Sequence, residues 1–388
     1  MTSKASSLQH EWDAIVIGAG PAGALAARQL ALGGRRVLLV DKKRFPRPKV
    51  CGACINARAL SALEAAGLGG MLPDLGGLPL NQLEIIADSR RAHLALPPGL
   101  AVGRSEFDAA LATAAVAAGC EFHDAAIARV GAIRGARREV VIEECGAEPA
   151  TLSAGVVLAA DGLEHSCLSH NASFASEVAA NSLIGLGTTI PRAGYLLDDG
   201  IIRMVAGMGG YVGLVALDQA RINIAAAVSA ADLRRFSTPA NLILQLLQQA
   251  GAAPPESLPT AQWHGTGALT RFTRQVADAR LFLLGDATGY VEPFTGEGIA
   301  WALCSALLAA PLAEACLAGR ASPQRLAGDW SRLHQAQIQR RQWWCRRVAW
   351  VLRGAWRRRL ALAAAASFPW LAQGIAAHIN ARLGSSTR

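Results

Sequence analysis

The stretch Gly18-Ala19-Gly20-Pro21-Ala22-Gly23 constrains this chain more than any other. Before it, Trp12 to Gly18 reads as a buried strand, with Asp13-Ala14-Ile15-Val16-Ile17 an apolar run ending in glycine. From Pro21 to Leu32, apolar residues recur at helical spacing in an Ala-rich segment, and Gly33-Gly34 stops the pattern as glycine past a helix end does. A second apolar strand, Arg36 to Val40, closes on Asp41. In such a strand–helix–strand unit Gly18 permits the tight turn, Gly20 lets backbone approach a pyrophosphate, and Gly23 lets the helix pack on the strand. Ala22 belongs to the same turn, and the helix N-terminus offers free N–H groups and a positive dipole end. Asp41 lies eighteen residues past Gly23, where a carboxylate can hold ribose hydroxyls, and Lys42 beside it is counted with that site. A lone glycine fingerprint is weak evidence; with strand, helix, strand and acid in register it predicts dinucleotide binding.

The length of 388 residues allows two domains with real cores, or one domain with a large insertion. Hydrophobic residues make up 52% and charged residues 17%, which excludes a disordered or coiled-coil chain. Net charge is +9 but uneven: Ala321 to Arg388 holds twelve Arg, no Lys and one acid, Asp329, so it carries +11 and the first 320 residues −2. No nucleic-acid-binding fold accompanies that basic stretch, so nucleic acid is not expected as a partner. Eight Cys are scattered without the paired spacings of a zinc site, so no metal is expected and small buried thiols are the default reading. Met1 to His10 is polar and has no apolar signal stretch, which makes the cytoplasm the expected location.

Further along, Ala109 to Ala118 reads as an Ala-rich helix, Gly155 to Ala160 and Leu281 to Leu284 as buried strands, and about Gly298 to Leu317 as a long helix. Asn81 to Leu96 and roughly Leu183 to Ser229 look different. Patterns such as Ile201-Ile202-Arg203-Met204-Val205 and Arg221-Ile222-Asn223-Ile224 predict a second, mainly antiparallel sheet. The expected fold class is therefore α/β, a Rossmann-type domain with an inserted antiparallel sheet and a C-terminal helical segment. Residues 1–80, 101–180 and 271–328 would make the first domain, 81–100 and 181–270 the inserted one, and 329–388 the basic, aromatic helices.

A second motif bears on which dinucleotide is held. Leu283-Leu284-Gly285-Asp286-Ala287 is an apolar strand ending in Gly-Asp, followed by Pro293 and Gly296-Glu297-Gly298. In these residues the chain resembles the FAD-dependent oxidoreductases of the aromatic-hydroxylase (group A flavoprotein monooxygenase) and geranylgeranyl-reductase-like superfamily. The resemblance covers roughly residues 12 to 310 and is strongest at its two ends. It implies FAD, with Asp286 of the Gly285-Asp286 pair on the ribityl chain and the backbone of Pro293 and Gly296-Glu297-Gly298 next to the isoalloxazine. A helix N-terminus there would stabilise the negative charge of reduced flavin. It also implies that Arg104, heading Arg104-Ser105-Glu106-Phe107-Asp108, contacts the pyrophosphate or adenine side. Asp161, in Ala160-Asp161-Gly162, would lie near the pyrophosphate in a motif linked to nicotinamide nucleotides, which makes NAD(P)H the expected electron donor. Halogenases share this fold, but the chain has no Trp-x-Trp-x-Ile-Pro signature.

The segment Arg44-Phe45-Pro46-Arg47-Pro48-Lys49-Val50-Cys51-Gly52 looks like the geranylgeranyl-reductase-like branch, in which the Cys faces the flavin and substrate cavity. Cys51 could give a proton to a substrate carbon, merely line the pocket, or be a loop cysteine without chemistry. With Cys54 it also forms a Cys-x-x-Cys pair, although the thioredoxin-like context of a redox motif is missing. Two chemistries fit the resemblance. One is NAD(P)H-dependent monooxygenation of a hydrophobic aromatic or polyketide-like substrate in secondary metabolism; the other is reduction of isoprenoid or polyene double bonds. The superfamily as a whole favours hydroxylation and the Cys51-Gly52 segment favours reduction. The resemblance leans to hydroxylation, because the branch with this segment also contains many apparent hydroxylases, and a membrane-associated flavin-binding protein without catalysis stands as the third reading.

In the tail, Arg340 to Arg347 and Trp350 to Arg359 interleave Arg with Trp, and five of the nine Trp lie between 343 and 370. Residues 340–380 are expected either to cap the substrate domain or to touch an anionic membrane peripherally. Leu360 to Asn380 carries no formal charge, but its Ala content with Pro369, Gln373 and His378 argues against a membrane span.

Overall fold

The apolar run that precedes the glycines sits at the centre of a parallel sheet. A computed structural model of the chain describes residues 10–207, 209–292, 296–367 and 374. In it the strand Glu11–Ile17 buries Ala14 to Ile17 without alternation, as a strand covered on both faces must. Across this sheet the order is Leu281–Leu283, Ala150–Ala159, Glu11–Ile17, Val37–Val40 and Glu121–His123, all parallel. Glu11–Ile17 therefore has the next strand on one side and a much later one on the other. That reversal of direction opens a crevice at the strand ends, where α/β sheets bind ligands. A hairpin, Ala126–Arg134 with Arg137–Glu144, attaches antiparallel to Ala150–Ala159.

The helix Pro21–Leu32 buries Pro21 to Ala27, mostly small residues, so the long helix Glu297–Leu317 can pack against it. By length and composition Glu297–Leu317 could cross a membrane, but 67% of its apolar window is buried inside the protein. It is a core helix.

The second sheet runs, in spatial order, His264–Ala268, Ile184–Pro191, Arg221–Val228, Gly210–Ala216, Ile201–Gly207, Leu78–Ala87, Arg90–Ala101 and Cys54–Ile55. All its pairings are antiparallel except Ile201 to Val205 against Gln82 to Ile86, which joins two segments far apart in sequence. One face packs on the helix Pro239–Gln249, with Ile243 and Leu247 clustered with Val205 and Val212. Alternation sends Ile202, Met204 and Val215 to the other face. The observed class is the expected one, mixed α/β with a parallel sheet, a curled antiparallel sheet and C-terminal helices.

The helix Pro323–His334 buries Trp330, whose Nε1 donates to the Leu283 carbonyl at 3.1 Å. After it, the helix Arg340–Arg353 is tied down by Gln342, whose amide donates to the Gly289 carbonyl at 3.2 Å. The helix Ala355–Ser367 is pinned by Arg358, which is 1% exposed and grips Asp88 at 3.1 and 3.2 Å. The described part of the tail thus caps the fold. What was expected of residues 368–380 lies outside the described residues, Gly374 apart.

A candidate cofactor and substrate cavity

A cavity of about 650 Å³ opens between the two sheets, lined by the glycine loop, the Arg44–Gly52 segment, Gly285-Asp286 and the inner face of the second sheet. Its first end is made of backbone. Gly18 has φ +99°, and a Cβ there would run into the Ala160 carbonyl. A Cβ on Gly23 would run into the Gly18 carbonyl, so Gly23 acts by letting helix meet strand and does not itself line the cavity. Gly20 is different: its Cβ would have nothing nearer than Arg47 Nη2 at 3.8 Å, which leaves an open cradle. The helix behind it has neither a side-chain cap nor an acid in its first turn, and its first backbone bond is Ala24 N to Gly20 O at 2.9 Å. The amides of Ala22 and Gly23 are left over for an anion.

Asp41 is almost wholly buried and accepts from Ala19 N at 2.8 Å and Lys43 N at 2.9 Å, so its carboxylate braces the glycine loop as well as lining the cavity. Lys42 also lines it and pairs with Glu164, holding that carboxyl below its usual range. Asp161 accepts from Cys167 N at 2.8 Å, closing the turn that brings Gly162 to the wall. Asp286 sits in the short turn Gly285–Thr288, anchored by Gly285 N donating to Ser305 Oγ at 2.9 Å. Burial pushes the Asp286 carboxyl up, while Lys49 and Arg104 oppose the shift. Lys49 itself is pulled down by burial.

The second end is made of side chains. Arg104 grips Asp108 with two bonds of 2.9 Å, and Asp108 is fully buried. Arg47 reaches Asp108 at 3.4 Å and Asp41 at 3.5 Å, lying 4.8 Å over the Phe45 ring. Arg104 also lies within electrostatic reach of Cys51. Cys51 is half-buried; its sulfur accepts from Ala53 N at 3.4 Å and its carbonyl from Asn223 Nδ2 at 2.9 Å, which ties the segment to the second sheet. Cys54 is buried with its thiol pushed up by desolvation, and it points at the Gly52 carbonyl at 3.1 Å. Tyr290 closes this end, its phenol raised well above the usual range by burial near Asp286 and Cys51. Facing them are Ile202, Met204 and Val215, with small Gly213, Ala225 and Ala227 leaving room.

The residues singled out in sequence are mostly brought together here, with differences. Arg104, expected on the pyrophosphate or adenine side, is set between Asp108 and Cys51. Gly296, with φ +76°, caps the core helix and lines the cavity with Gly298, but the Glu297 side chain does not. Its carboxyl turns inward to accept from Asn56 Nδ2 at 2.7 Å, and burial pushes it up to about 8. Only backbone can serve the cofactor at that position. Pro293 lies outside the described residues. Arg47, Asp108, Asn223 and Tyr290 were not foreseen; they come from separate stretches and only the fold collects them.

These residues fit FAD. The open cradle at Gly20 and the unpaired amides suit a pyrophosphate, Asp286 and Asp161 offer acceptors to hydroxyls, and Gly296 and Gly298, which leave room for Cys54 and Tyr290, bring backbone to the cavity wall. The FAD binding domain family matches residues 11–336. The chain belongs to this family. It is 28% identical over 356 residues to digeranylgeranylglycerophospholipid reductase 1 of Methanothermobacter thermautotrophicus, covering 84% of this chain and 83% of that one. It is 28% identical over 358 residues to menaquinone reductase of Mycobacterium tuberculosis, covering 84% and 82%. Rifampicin monooxygenase of Rhodococcus hoagii matches at 29% over 300 residues, 74% of this chain and 60% of that protein. Among solved structures, a flavin-dependent brominase variant aligns with TM-score 0.79 at 15% identity over 95% of both chains. The myxobacterial chondrochloren halogenase aligns at 0.74 and 20% identity over 84% of this chain and 80% of its own. At such identities these show a shared fold. This FAD-binding family member is thus an oxidoreductase by kinship, with relatives of both the monooxygenase and the reductase kind.

Proposed function

We propose that the protein is an FAD-dependent reductase that saturates carbon–carbon double bonds of an isoprenoid-type substrate with electrons from NAD(P)H. The observation that carries this reading is Cys51 on the wall of a cavity that Arg104 and the apolar Ile202, Met204 and Val215 also line. Reduced FAD, when bound, supplies the hydride. The second carbon of the double bond needs a proton, and Cys51 is the group placed to give it. Asn223 and Ala53 hold the cysteine in position, while Arg104, oriented by Asp108, balances the charge left on sulfur. Ile202, Met204 and Val215 take the hydrocarbon and keep water out. Two relatives named as reductases, of a digeranylgeranyl lipid and of menaquinone, align over 84% of the chain, which supports an isoprenoid substrate. Asp161-Gly162 on the cavity wall supports a nicotinamide nucleotide as donor.

Hydroxylation, to which the superfamily resemblance leans, is favoured by the match to rifampicin monooxygenase. One experiment separates the two. FAD-loaded protein is given NADPH and a geranylgeranyl lipid without oxygen, and the lipid is read by mass. The expected product gains two hydrogens per double bond, and Cys51→Ser keeps its flavin but loses on the order of 100-fold in rate. A lipid unchanged without oxygen that gains label from isotopic dioxygen would make the protein a monooxygenase instead.

A further inference from the structure

The helix Arg340–Arg353 reverses the usual order of burial. It turns Gln342, Cys345 and Ala349 inward, at 8%, 4% and 7% exposure, and leaves Trp343, Trp344 and Trp350 outside at 42%, 45% and 57%. On the following helix Trp356 is 66% exposed. A helix solvated on its outer face would do the opposite. The exposed rings are joined by cations: Arg347 stacks on Trp343 at 4.1 Å, and Arg357 on Trp350 at 3.7 Å and on Trp356 at 5.9 Å. Neither Arg347 nor Arg357 pairs with a carboxylate among the described residues. No Asp or Glu follows Asp329 in the whole sequence.

We propose that this face docks the protein on an anionic lipid surface, with the Trp rings in the interface and the Arg guanidinium groups on the headgroup phosphates. Trp prefers that boundary because its ring is apolar and its N–H polar, and Arg can reach phosphate while its stem stays in the apolar layer. Exposed large rings gathered on neighbouring helices mark an interaction site. A second copy of the chain is a poor occupant, since it would set cation against cation. Nucleic acid is disfavoured because no nucleic-acid-binding motif accompanies these helices.

The inner face of the same helix packs beside the cavity wall. Cys345 packs with Val291 and Trp301, and Arg353 pairs with Glu292, a buried cavity-lining carboxylate. Docking would therefore bring the cavity wall at Glu292 near the bilayer, where a hydrocarbon substrate would reside; that last clause rests on the proposed reduction, and the docking does not.

The test is flotation of the full-length, FAD-loaded protein with vesicles of phosphatidylcholine alone or with one part in about three of phosphatidylglycerol. Flotation with the anionic vesicles, at least about tenfold weaker without phosphatidylglycerol, is expected, together with a blue shift of tryptophan emission. Replacing Trp350→Ser and Trp356→Ser together should weaken flotation at least about tenfold while flavin content stays the same, because both rings are exposed. Absence of flotation, flotation indifferent to the two substitutions, or tighter binding to a single-stranded RNA would each overturn the proposal. Normal docking by a protein that cannot reduce the geranylgeranyl lipid would overturn the reduction and leave the docking standing.

Discussion

Along the glycine loop the working groups are backbone amides, whereas around Cys51 they are side chains drawn from four stretches of chain, and Arg47 reaches both, 3.5 Å from Asp41 and 3.4 Å from Asp108. The first end is shaped by what is missing: no Cβ at Gly18 and Gly23, no cap or acid on the helix behind them. The second is shaped by balanced charge, with Arg47 and Arg104 sharing a buried Asp108 next to a thiol. The two ends should therefore fail in different ways. Added volume should ruin the first, and lost charge the second.

The largest effect is expected at Gly18. Alanine there needs φ near +99° and a Cβ inside the Ala160 carbonyl, so the loop must shift. Gly18→Ala should drop bound flavin at least about tenfold or prevent folding, read as FAD released per protein chain. Gly20→Ala has 3.8 Å of clearance and should fold normally while binding flavin more weakly. Equal flavin content in both variants would end the claim that the cradle is made of backbone.

At the other end, Asp108→Asn keeps the shape and removes the charge. It leaves Arg47 and Arg104 facing each other without a shared anion in a buried place, a change that typically costs about 3–5 kcal/mol. Urea unfolding should show that loss with little change in side-chain volume. A loss below about 1 kcal/mol would mean that solvent screens the network, as it does surface pairs.

The same contrast explains what the sequence reveals. A backbone-built site leaves glycines at fixed spacing, so the strand, the loop, the helix and Asp41 can be read in order from Trp12 to Asp41. Gly285-Asp286 and Gly296 to Gly298 are legible for the same reason. A side-chain site has no such spacing: Arg47, Asp108, Asn223 and Tyr290 look like ordinary residues until the fold joins their segments, as Arg47 meets Asp108 and Asn223 of the second sheet meets the Cys51 carbonyl. The hairpin of Ala126–Arg134 and Arg137–Glu144 carries no glycine motif, and its strands mix Arg and Glu with Val and Ile. Patterning names no element there. Glu297 shows the limit of the motif even where it is legible, because the motif fixes the path of the backbone and says nothing about which way the carboxyl turns.

That carboxyl gives the smallest and most specific test. Burial raises Glu297 from 4.5 to about 8, against the pull of Arg58, Arg341 and its bond from Asn56. Below the lower value the folded and unfolded chains both hold the proton. Between the two values only the folded chain holds it, so stability falls as pH rises through that window and levels off above about 8. At about 1.4 kcal/mol per unit of pH, the loss between pH of about 6 and about 8 is on the order of 2–3 kcal/mol. Glu297→Gln cannot titrate, and its amide oxygen still accepts from Asn56, so this part of the slope should vanish while flavin binding persists. Persistence is expected because the flanking Gly296 and Gly298, not the Glu297 side chain, line the cavity. If urea midpoints of wild type and variant fall in parallel with pH, the carboxylate is ionised in the folded protein. If instead the variant loses its flavin, a side chain does work at a position assigned here to backbone, and the contrast between backbone-built and side-chain-built wall fails.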